Sequence, residues 1–548
     1  MVSDDELFEN VEGGAQSSTD TSVSGKVVFK QGRRGECYLL PPSLDELIGP
    51  DNLVRFVDAV VDRLDLSDLL ATYRGGGASA YHPATLLKIW LFGWCRKIYT
   101  SRPLAAALTR DVEFMWLAGE QRPSFMTLAD FRRRLNTTIK KIFKDVAGLA
   151  IQAGLLRGEE LYIDHTKMVA NNNRHRVVWR KNAERYLDRA NAELEKLLVL
   201  IDRLNEEEEA HPQEPAKIDT LTPELLDELV ERVNGLLKAG EVEREQATEQ
   251  KQQLRRGKQR LEGRDRYQQQ LEQLDGRNSM GKSDRESSAM MMKDHVTVRP
   301  GYNLGIAAEN GIVVGYDVSN NSNDGISFQA VLDDAQETLD RKPERVCTDA
   351  GYGTVENYKL LEARQIESYL KYPGWDRDAK GTRRPYEAES FTYDGKHDRW
   401  ICPQDKPLHF QRTEQRRNPR TGYVYAYREY RAEQAVCASC PVKDECTRGK
   451  ARSLRVSSEI RKHREKALQN LTSSMGKRMR SLRSVEAETP FGVSKNAHRF
   501  SRYHLRGRAG AEIESGLFLS AFNLRRLHAV FLRYATTGAR PALQIVGG

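Results

Sequence analysis

Apolar residues recur at helical spacing through the first part of the chain. Over residues 52–64 they fall three and four apart, as on one face of an α-helix. His82-Pro83 opens a second such stretch, carried on by Leu86, Leu87, Trp90 and Leu91, with proline at the first helical position, where no donor is lost. Ser101 is placed to cap a third helix. Thr127-Leu128-Ala129-Asp130-Phe131-Arg132-Arg133-Arg134-Leu135 reads as a short helix with a basic face. Residues 43–154 are therefore expected to form an all-helical domain. An arginine-rich helix among short packed ones fits a helix-turn-helix, and equally a helical domain with a salt-bridging face.

The period then changes. Tyr162-Ile163 and Val346-Cys347-Thr348 are short apolar, strand-like runs, ending at Asp164 and Asp349. Between them Leu187, Ala190, Leu194, Leu197, Ile201 and Leu204 trace a coiled-coil seam that Pro212 and Pro215 break. Thr222-Pro223 restarts a helix with a second seam through Leu226, Leu229, Val233 and Leu236, and residues 241–274 form a third, polar stretch. The spacing predicts a helical hairpin whose seam pairs either with itself or with a second copy. Further on, residues 302–308 and 312–318 flank Glu309-Asn310-Gly311, a hairpin signal. Residues 327–339 and 355–364 read as helices, 366–372 as a strand, and 512–533 as a closing helix on the sheet. Strand, hairpin, helix, strand, helix, strand is the ribonuclease-H-like α/β order, with the helical stretch inserted after its first strand.

Composition narrows the partners. The chain has 548 residues, a net charge of +8 and seven cysteines. That length fits roughly two to four domains. The charge is uneven: residues 447–540 hold about twenty Lys and Arg against about six acids, a bias toward a polyanion. No apolar run reaches the ~18 residues of a membrane helix. The first 25 residues are acidic and Ser/Thr-rich, without a signal-peptide pattern, and read as a disordered leader. So few cysteines in so long a chain do not make a disulfide scaffold, and a reducing cytosol is expected. Cys402, Cys437-Ala438-Ser439-Cys440-Pro441 and Cys446 offer four thiols suited to tetrahedral zinc, or four unlinked reduced cysteines. A redox pair is disfavoured, because no βαβ unit surrounds the C-x-x-C.

An aspartate at a strand end directs its carboxylate beyond the sheet edge, where ligands bind. Asp164 and Asp349 on adjacent strands suit hard divalent cations, and Glu488 supplies a third acid. Three such acids are what two-metal phosphodiester chemistry needs. Glu486 is a rival to Glu488, and Asp317 and Asp324 to Asp349.

Asp164-x-Thr166-Lys167, Pro300-Gly301-Tyr302-Asn303, Asp349-Ala350-Gly351-Tyr352 and Glu488-x-x-Phe491-Gly492-x-x-Lys495 together resemble the bacterial insertion-sequence DDE transposases. The nearest branch has an InsH-like helical N-terminal domain and a Cys-rich insertion; Tyr81-His82-Pro83, Ser101-Arg102, Phe131-Arg132, Cys437-x-x-Cys440-Pro441, Arg506-Gly507 and Asn523-Leu524 fit it. The resemblance implies a catalytic triad of Asp164, Asp349 and Glu488, Mg²⁺ or Mn²⁺, binding of terminal inverted repeats, and DNA cleavage followed by strand transfer. Lys495 matches a lysine that contacts phosphate near the cut end. The family's Tyr and Arg positions upstream of the glutamate hold Ser481 and Ser484 here, with Arg480 and Arg483 as the nearest substitutes. DNA is expected on Arg132, Arg133 and Arg134, and on Arg480, Arg483, Arg499, Arg502, Arg506 and Arg508. The expected division is a leader (1–30), a helical DNA-binding domain (31–154), a ribonuclease-H-like core (155–175, 294–374 and 476–535), a coiled-coil insertion (176–293), a Cys-rich insertion (375–475) and a tail (536–548). Synapsis of two transposon ends calls for a homodimer, and the cytoplasmic nucleoid is the expected location. A nuclease of this fold that does not rejoin DNA, or an inactive zinc-containing scaffold, are the alternatives.

Overall fold

The computed structural model describes residues 43–73, 80–206, 217–382, 385–418 and 421–537. The leader, most of the tail, and Pro212 and Pro215 lie outside them. Before Ile48 the described chain is a single turn. From Ile48 onward the chain is a mixed α/β structure.

Seven helices come first: α1 (Leu53–Val61), α2 (Ser67–Leu70), α3 (Pro83–Cys95), α4 (Ser101–Ala107), α5 (Val112–Leu117), α6 (Phe125–Arg134) and α7 (Ile139–Gln152). Asn52, Asp111 and Ser124 cap α1, α5 and α6 through their side-chain oxygens, and Pro83 opens α3. Helix α3 is apolar nearly all round, and Leu86, Leu87, Ile89, Trp90, Leu91, Phe92 and Trp94 are all buried. A helix of that kind belongs at a centre.

The central sheet combines β1 (Glu160–Val169), β4 (Ser288–Met291), β5 (Val298–Glu309), β6 (Ile312–Ser319), β7 (Arg345–Thr348) and β8 (Glu367–Leu370). Its order is β4-β5-β1-β7-β8, with β6 sharing the β4 side of β5. β5 runs antiparallel to β1, β4 and β6; β1, β7 and β8 are parallel. Asn310 and Gly311, both at positive φ, make the tight turn between β5 and β6. Helix α11 (Asp324–Leu339) covers one face so closely that a Cβ on Gly315 would lie 2.6 Å from the Ala335 nitrogen. The other face is covered by α17 (Ser474–Glu486), which reaches β1, β7 and β8, and by α19 (Gly507–Thr537), whose Asn523 brackets Val313 with two hydrogen bonds. Helix α12 (Val355–Ala363) joins β7 to β8.

One hydrophobic core unites this sheet with α1–α7 and α19. Trp94 stacks near Phe500 and Phe518, Arg525 donates to the Cys95 carbonyl, and Ile139 fills the space over Gly516.

The segment between β2 (Val177–Trp179) and β3 (Ser279–Gly281), which pair antiparallel, is a three-helix bundle: α8 (Arg180–Glu206), α9 (Pro223–Ala239) and α10 (Arg244–Leu274). The polar stretch expected at 241–274 supplies the third helix, from Arg244 on. Its Ala247, Leu254 and Leu261 close over Leu194, Leu197, Ile201 and Leu204 of α8 and Leu226, Leu229 and Val233 of α9. Gly257 accepts the Leu197 side chain so tightly that a Cβ there would lie 2.2 Å from it. The seam is satisfied within the chain, so it does not serve as a dimer surface.

A second, antiparallel sheet comes after α13 (Trp375–Lys380): β9 (Thr392–Asp394), β10 (Arg399–Ile401), β11 (Pro407–Arg417), β12 (Val424–Ala432) and β13 (Ser453–Val456), in the order β13-β12-β11-β10-β9. It packs its own core from Phe391, Trp400, Leu408, Tyr430 and Leu454. The two short helices α14 (Gln434–Ala438) and α15 (Lys443–Cys446) lie between β12 and β13, and α16 (Ser458–Thr472) leads to α17.

Candidate active site

The parallel register of β1 and β7 pairs Tyr162 with Cys347. Two residues further on each strand are Asp164 and Asp349, so the pleat turns both carboxylates to one face at one end of the sheet. Asp349 ends its strand by capping a 3₁₀ turn, its Oδ1 accepting from the Gly351 amide at 2.9 Å. Asp164 Oδ1 accepts from the His165 amide at 2.8 Å.

Helix α17 runs over the same face. It stops at Glu486, and α18 (Glu488–Gly492) starts after the single residue Ala487. Pro490 sits in the first turn of α18, where its missing donor costs nothing. This break turns the two glutamates apart. Glu486 accepts from the Gly311 amide at the β5–β6 turn. Glu488 Oε1 accepts from Arg483 at 2.8 Å, and Arg483 lies 3.9 Å from Asp164 Oδ2. The guanidinium of Arg483 therefore bridges Asp164 and Glu488.

Asp164 is only 8% exposed, and its carboxyl is pushed up to about 7. Burial is the main cause and the Asp349 charge the second; the His165 amide, Arg483 and Lys293 oppose them. Asp164 is thus buried beside the Asp349 charge, with the Arg483 guanidinium between it and the half-exposed Glu488. Among the described residues, no three His, Cys, Asp or Glu side chains stand at metal-ligand spacing.

Three ammonium groups border the acids. Lys495, in the π-helical turn after α18, donates to Thr166 Oγ1 at 2.6 Å and to the Lys167 carbonyl at 3.0 Å. It is brought down to about 8, by burial first and then by the charges of Lys293 and Lys167. Lys293, in the turn between β4 and β5, escaped the sequence reading. It belongs to no motif, and only the β4–β5 hairpin brings it here. Lys167 pairs with Asp324, which also accepts from Asn303 at 2.7 Å. Asp324 thus stands beside the site, already matched by a cation. Asp317 does not: it pairs with Arg508 at 3.3 Å. His165 lies on the opposite face of β1, where its Nδ1 meets the Tyr352 hydroxyl at 2.6 Å and burial lowers it to about 4.

The arginines expected on DNA divide. Arg132 is 7% exposed and ion-paired with Glu514 at 3.1 Å, so it faces the core and cannot reach a phosphate. It is buried because α6 packs between α3 and α19. Arg134 pairs with Asp130 and lies over Tyr73. Arg480 lies 4.5 Å over Trp375 and donates to the Leu471 carbonyl. Arg483 faces carboxylates, and Arg508 holds Asp317. Arg133, Arg499, Arg502 and Arg506 are exposed.

The cysteines also gather. Cys402, Cys437, Cys440 and Cys446 line one cavity of about 30 Å³, and none is in a disulfide. Cys402 Sγ accepts from the Lys406 amide at 3.3 Å and Cys437 Sγ from the Arg452 amide at 3.5 Å. Burial and then, in smaller part, the other three thiols push Cys446 up, against the pull of Arg452.

Two stretches match known families. Residues 401–528 match the family described as transposase DDE domain, which takes in Glu488 and Lys495 and all four of these cysteines. Residues 42–134 match that described as transposase domain (DUF772), which covers α1–α6. Both matched families are transposase families. Within that class the two matches support an insertion-sequence DDE transposase. No curated protein matches it.

Proposed function

We propose that this transposase cuts DNA at the terminal inverted repeats of its element and joins the freed end to a target. Asp164, Asp349 and Glu488 would be its catalytic acids, on a core of ribonuclease-H-like order. The convergence of these acids at one sheet end carries the reading. Three oxygen-donor side chains fit hard cations such as Mg²⁺ or Mn²⁺. The raised Asp164 carboxyl supports this: burial is its first cause and the Asp349 charge its second, and a cation at that point would relieve both. Bound divalent ions would supply activation of the attacking oxygen and stabilisation of the leaving 3′ oxygen.

The chain's own groups have definable tasks. Asp164 releases its proton to become a ligand. Arg483 holds Glu488 near Asp164, where both acids would serve as ligands. Lys495, tied to the β1 backbone, is fixed to receive a phosphate oxygen beside the cut. On this reading residues 31–154 bind DNA, 155–175, 294–374 and 476–535 form the core, and 176–293 and 375–475 are insertions. Two ends must be held together, so the active form is a homodimer, through a surface other than the bundle seam. No helix among the described residues is long and apolar enough to cross a membrane; work on the bacterial nucleoid fits the reading.

The test is a cleavage and joining assay on labelled DNA carrying the repeat that flanks the gene, with Mg²⁺. Intact protein is expected to nick at the repeat end and join it to target, and Asp349→Ala to do neither while still binding. Nicking without joining would make the protein a nuclease. Equal binding by both proteins with no cutting in Mg²⁺ or Mn²⁺ would leave a DNA-binding scaffold.

For the four thiols we propose structural Zn²⁺. A cavity lined by four cysteines, two of whose sulfurs accept backbone N–H donors, suits a Cys₄ site once the thiols close on an ion. Purified protein is expected to carry one zinc per chain, and Cys437→Ser with Cys440→Ser to lose it together with thermal stability. Wild-type protein that purifies without zinc and melts no differently from this variant, and no higher when zinc is added, would refute the site.

A further inference from the structure

Beyond Lys167, β1 runs on to a second concave surface. The Val169 amide donates to the Ser501 carbonyl at 3.0 Å, and the Tyr503 amide to the Val169 carbonyl at 2.9 Å, which brings the 501–506 segment alongside the strand end. The Ala170 amide donates to the Pro300 carbonyl at 2.9 Å, which brings in the start of β5. Asn172, buried, ties the floor by accepting from the Ser283 and Asp284 amides at 2.8 and 3.2 Å. The result is a cleft of about 440 Å³ bordered by Arg174, Arg299, Arg502 and Arg506, with Asn171 and Asn173 between them.

Among the described residues, no carboxylate lines the cleft. Nor, among them, does any of these four arginines make an ion pair, whereas Arg508, two residues from Arg506, is matched by Asp317. Asp294 lies near enough to feel the Arg299 charge, but its oxygens are taken by the Val296 and Thr297 amides and the Thr297 hydroxyl. Glu286, the carboxylate nearest Arg506, accepts from the Arg508 amide at 2.8 Å and pairs with none of the four. Four guanidiniums without an ion pair around one concavity repel one another, and an anion that enters relieves them. Guanidinium forks match phosphate oxygens in pairs, and asparagine amides add neutral donors.

We propose that this cleft is a second phosphate-binding site for duplex DNA, seating the backbone about five nucleotides from the bond that is cut. The spacing follows from the strand. Five residues separate Asp164 from Val169, or roughly 17 Å at the rise of a β-strand. Duplex DNA advances 3.4 Å per nucleotide on each strand, so the same length spans about five. Lys495, held on Thr166, lies between the two ends. The count rests on the DNA-cutting reading above; the preference for a polyanion rests on charge alone.

The experiment measures affinity of the full chain for a duplex carrying the flanking repeat, as a function of salt, for wild type and for Arg174→Gln with Arg299→Gln. Each phosphate contact contributes roughly 0.9 to the slope of log affinity against log salt. The double variant is expected to lose close to two of slope and about tenfold or more in affinity, with unchanged melting. Ethylating phosphates about five nucleotides from the cut should weaken wild-type binding and leave the variant's unaffected. An unchanged slope, or interference at those phosphates that persists in the variant, overturns the cleft while the cutting assay stands. A wild-type protein that neither binds nor cuts the duplex overturns the reading beneath it as well.

Discussion

Asp164→Asn is expected to abolish Mg²⁺-dependent cutting and, without metal, to make the protein more stable at pH 8. The loss of activity follows from removing a proposed ligand: several kcal/mol of charge stabilisation correspond to roughly a thousandfold or more in rate. The gain in stability follows from the raised carboxyl. In the unfolded chain this group ionises near 3.8; in the folded protein it does so near 7. Below pH 3.8 both states hold the proton and the side chain is neutral in stability. Between 3.8 and 7 the unfolded state gains by ionising, and stability falls. Above 7 the folded carboxylate is charged, buried and beside Asp349, and the full penalty stands. About three pH units correspond to about 4 kcal/mol at most. Asparagine keeps the shape and removes the charge. Denaturant midpoints in EDTA should therefore favour the variant at pH 8, with the difference fading toward pH 4. Added Mg²⁺ should raise the midpoint of wild type and not of the variant. A variant no more stable than wild type at pH 8 would mean that Asp164 carries no such penalty, and one that still cuts would exclude it as a ligand.

Arg132→Ala is expected to destabilise the protein by roughly 3–5 kcal/mol, the usual effect of breaking a buried ion pair from one side. Its partner Glu514 is 0% exposed. Glu514 also accepts from the His504 amide at 2.7 Å and lies 3.6 Å from the His504 ring, but it would keep its charge with no guanidinium inside the core. The same substitution removes a 2.9 Å hydrogen bond to the Tyr99 carbonyl and a guanidinium 4.8 Å over Trp90. Replacing both partners, Arg132→Met with Glu514→Leu, should recover much of the loss, because no unpaired charge remains. Urea unfolding of wild type and the two variants checks this. If Arg132→Ala unfolds at the wild-type midpoint and instead binds DNA more weakly, the arginine is a DNA contact after all.

These two residues mark where sequence is informative. Asp164 and Asp349 were legible because an apolar run ending in an acid says both where the strand is and where the carboxylate points. The Asn310-Gly311 turn was legible because few other residue pairs accept positive φ twice. Arg132 was not: an arginine in a basic run looks like a surface residue until α19, nearly four hundred residues later, supplies Glu514. Strand β11 was missed for another reason. Its Gln411-Arg412-Thr413-Glu414-Gln415-Arg416-Arg417 stretch is mostly exposed, so it has no apolar alternation, and its order comes from pairing with β12. Helix α10 is similar, polar on most faces, with apolar residues sparse enough to hide its seam. Where Glu486 and Glu488 point was not legible, because it depends on the break at Ala487, which sends one acid to the β5–β6 turn and the other to Arg483.

The packing of α19 against α3 and α7 sets an order of events during synthesis. A ribosome adds roughly 5–20 residues per second, so tens of seconds pass between the emergence of α3 and that of its last neighbour. Through that interval Trp94, Cys95 and Ile139 lack the surface that covers them, and Asp164 lacks Glu488. The nascent chain can fold its bundle and its second sheet early, each having a core of its own. Its central layers must wait. A chain released before α18 and α19 would expose an apolar face to chaperones and proteases and would hold an incomplete set of acids, so truncated products would be cleared before they could act on DNA.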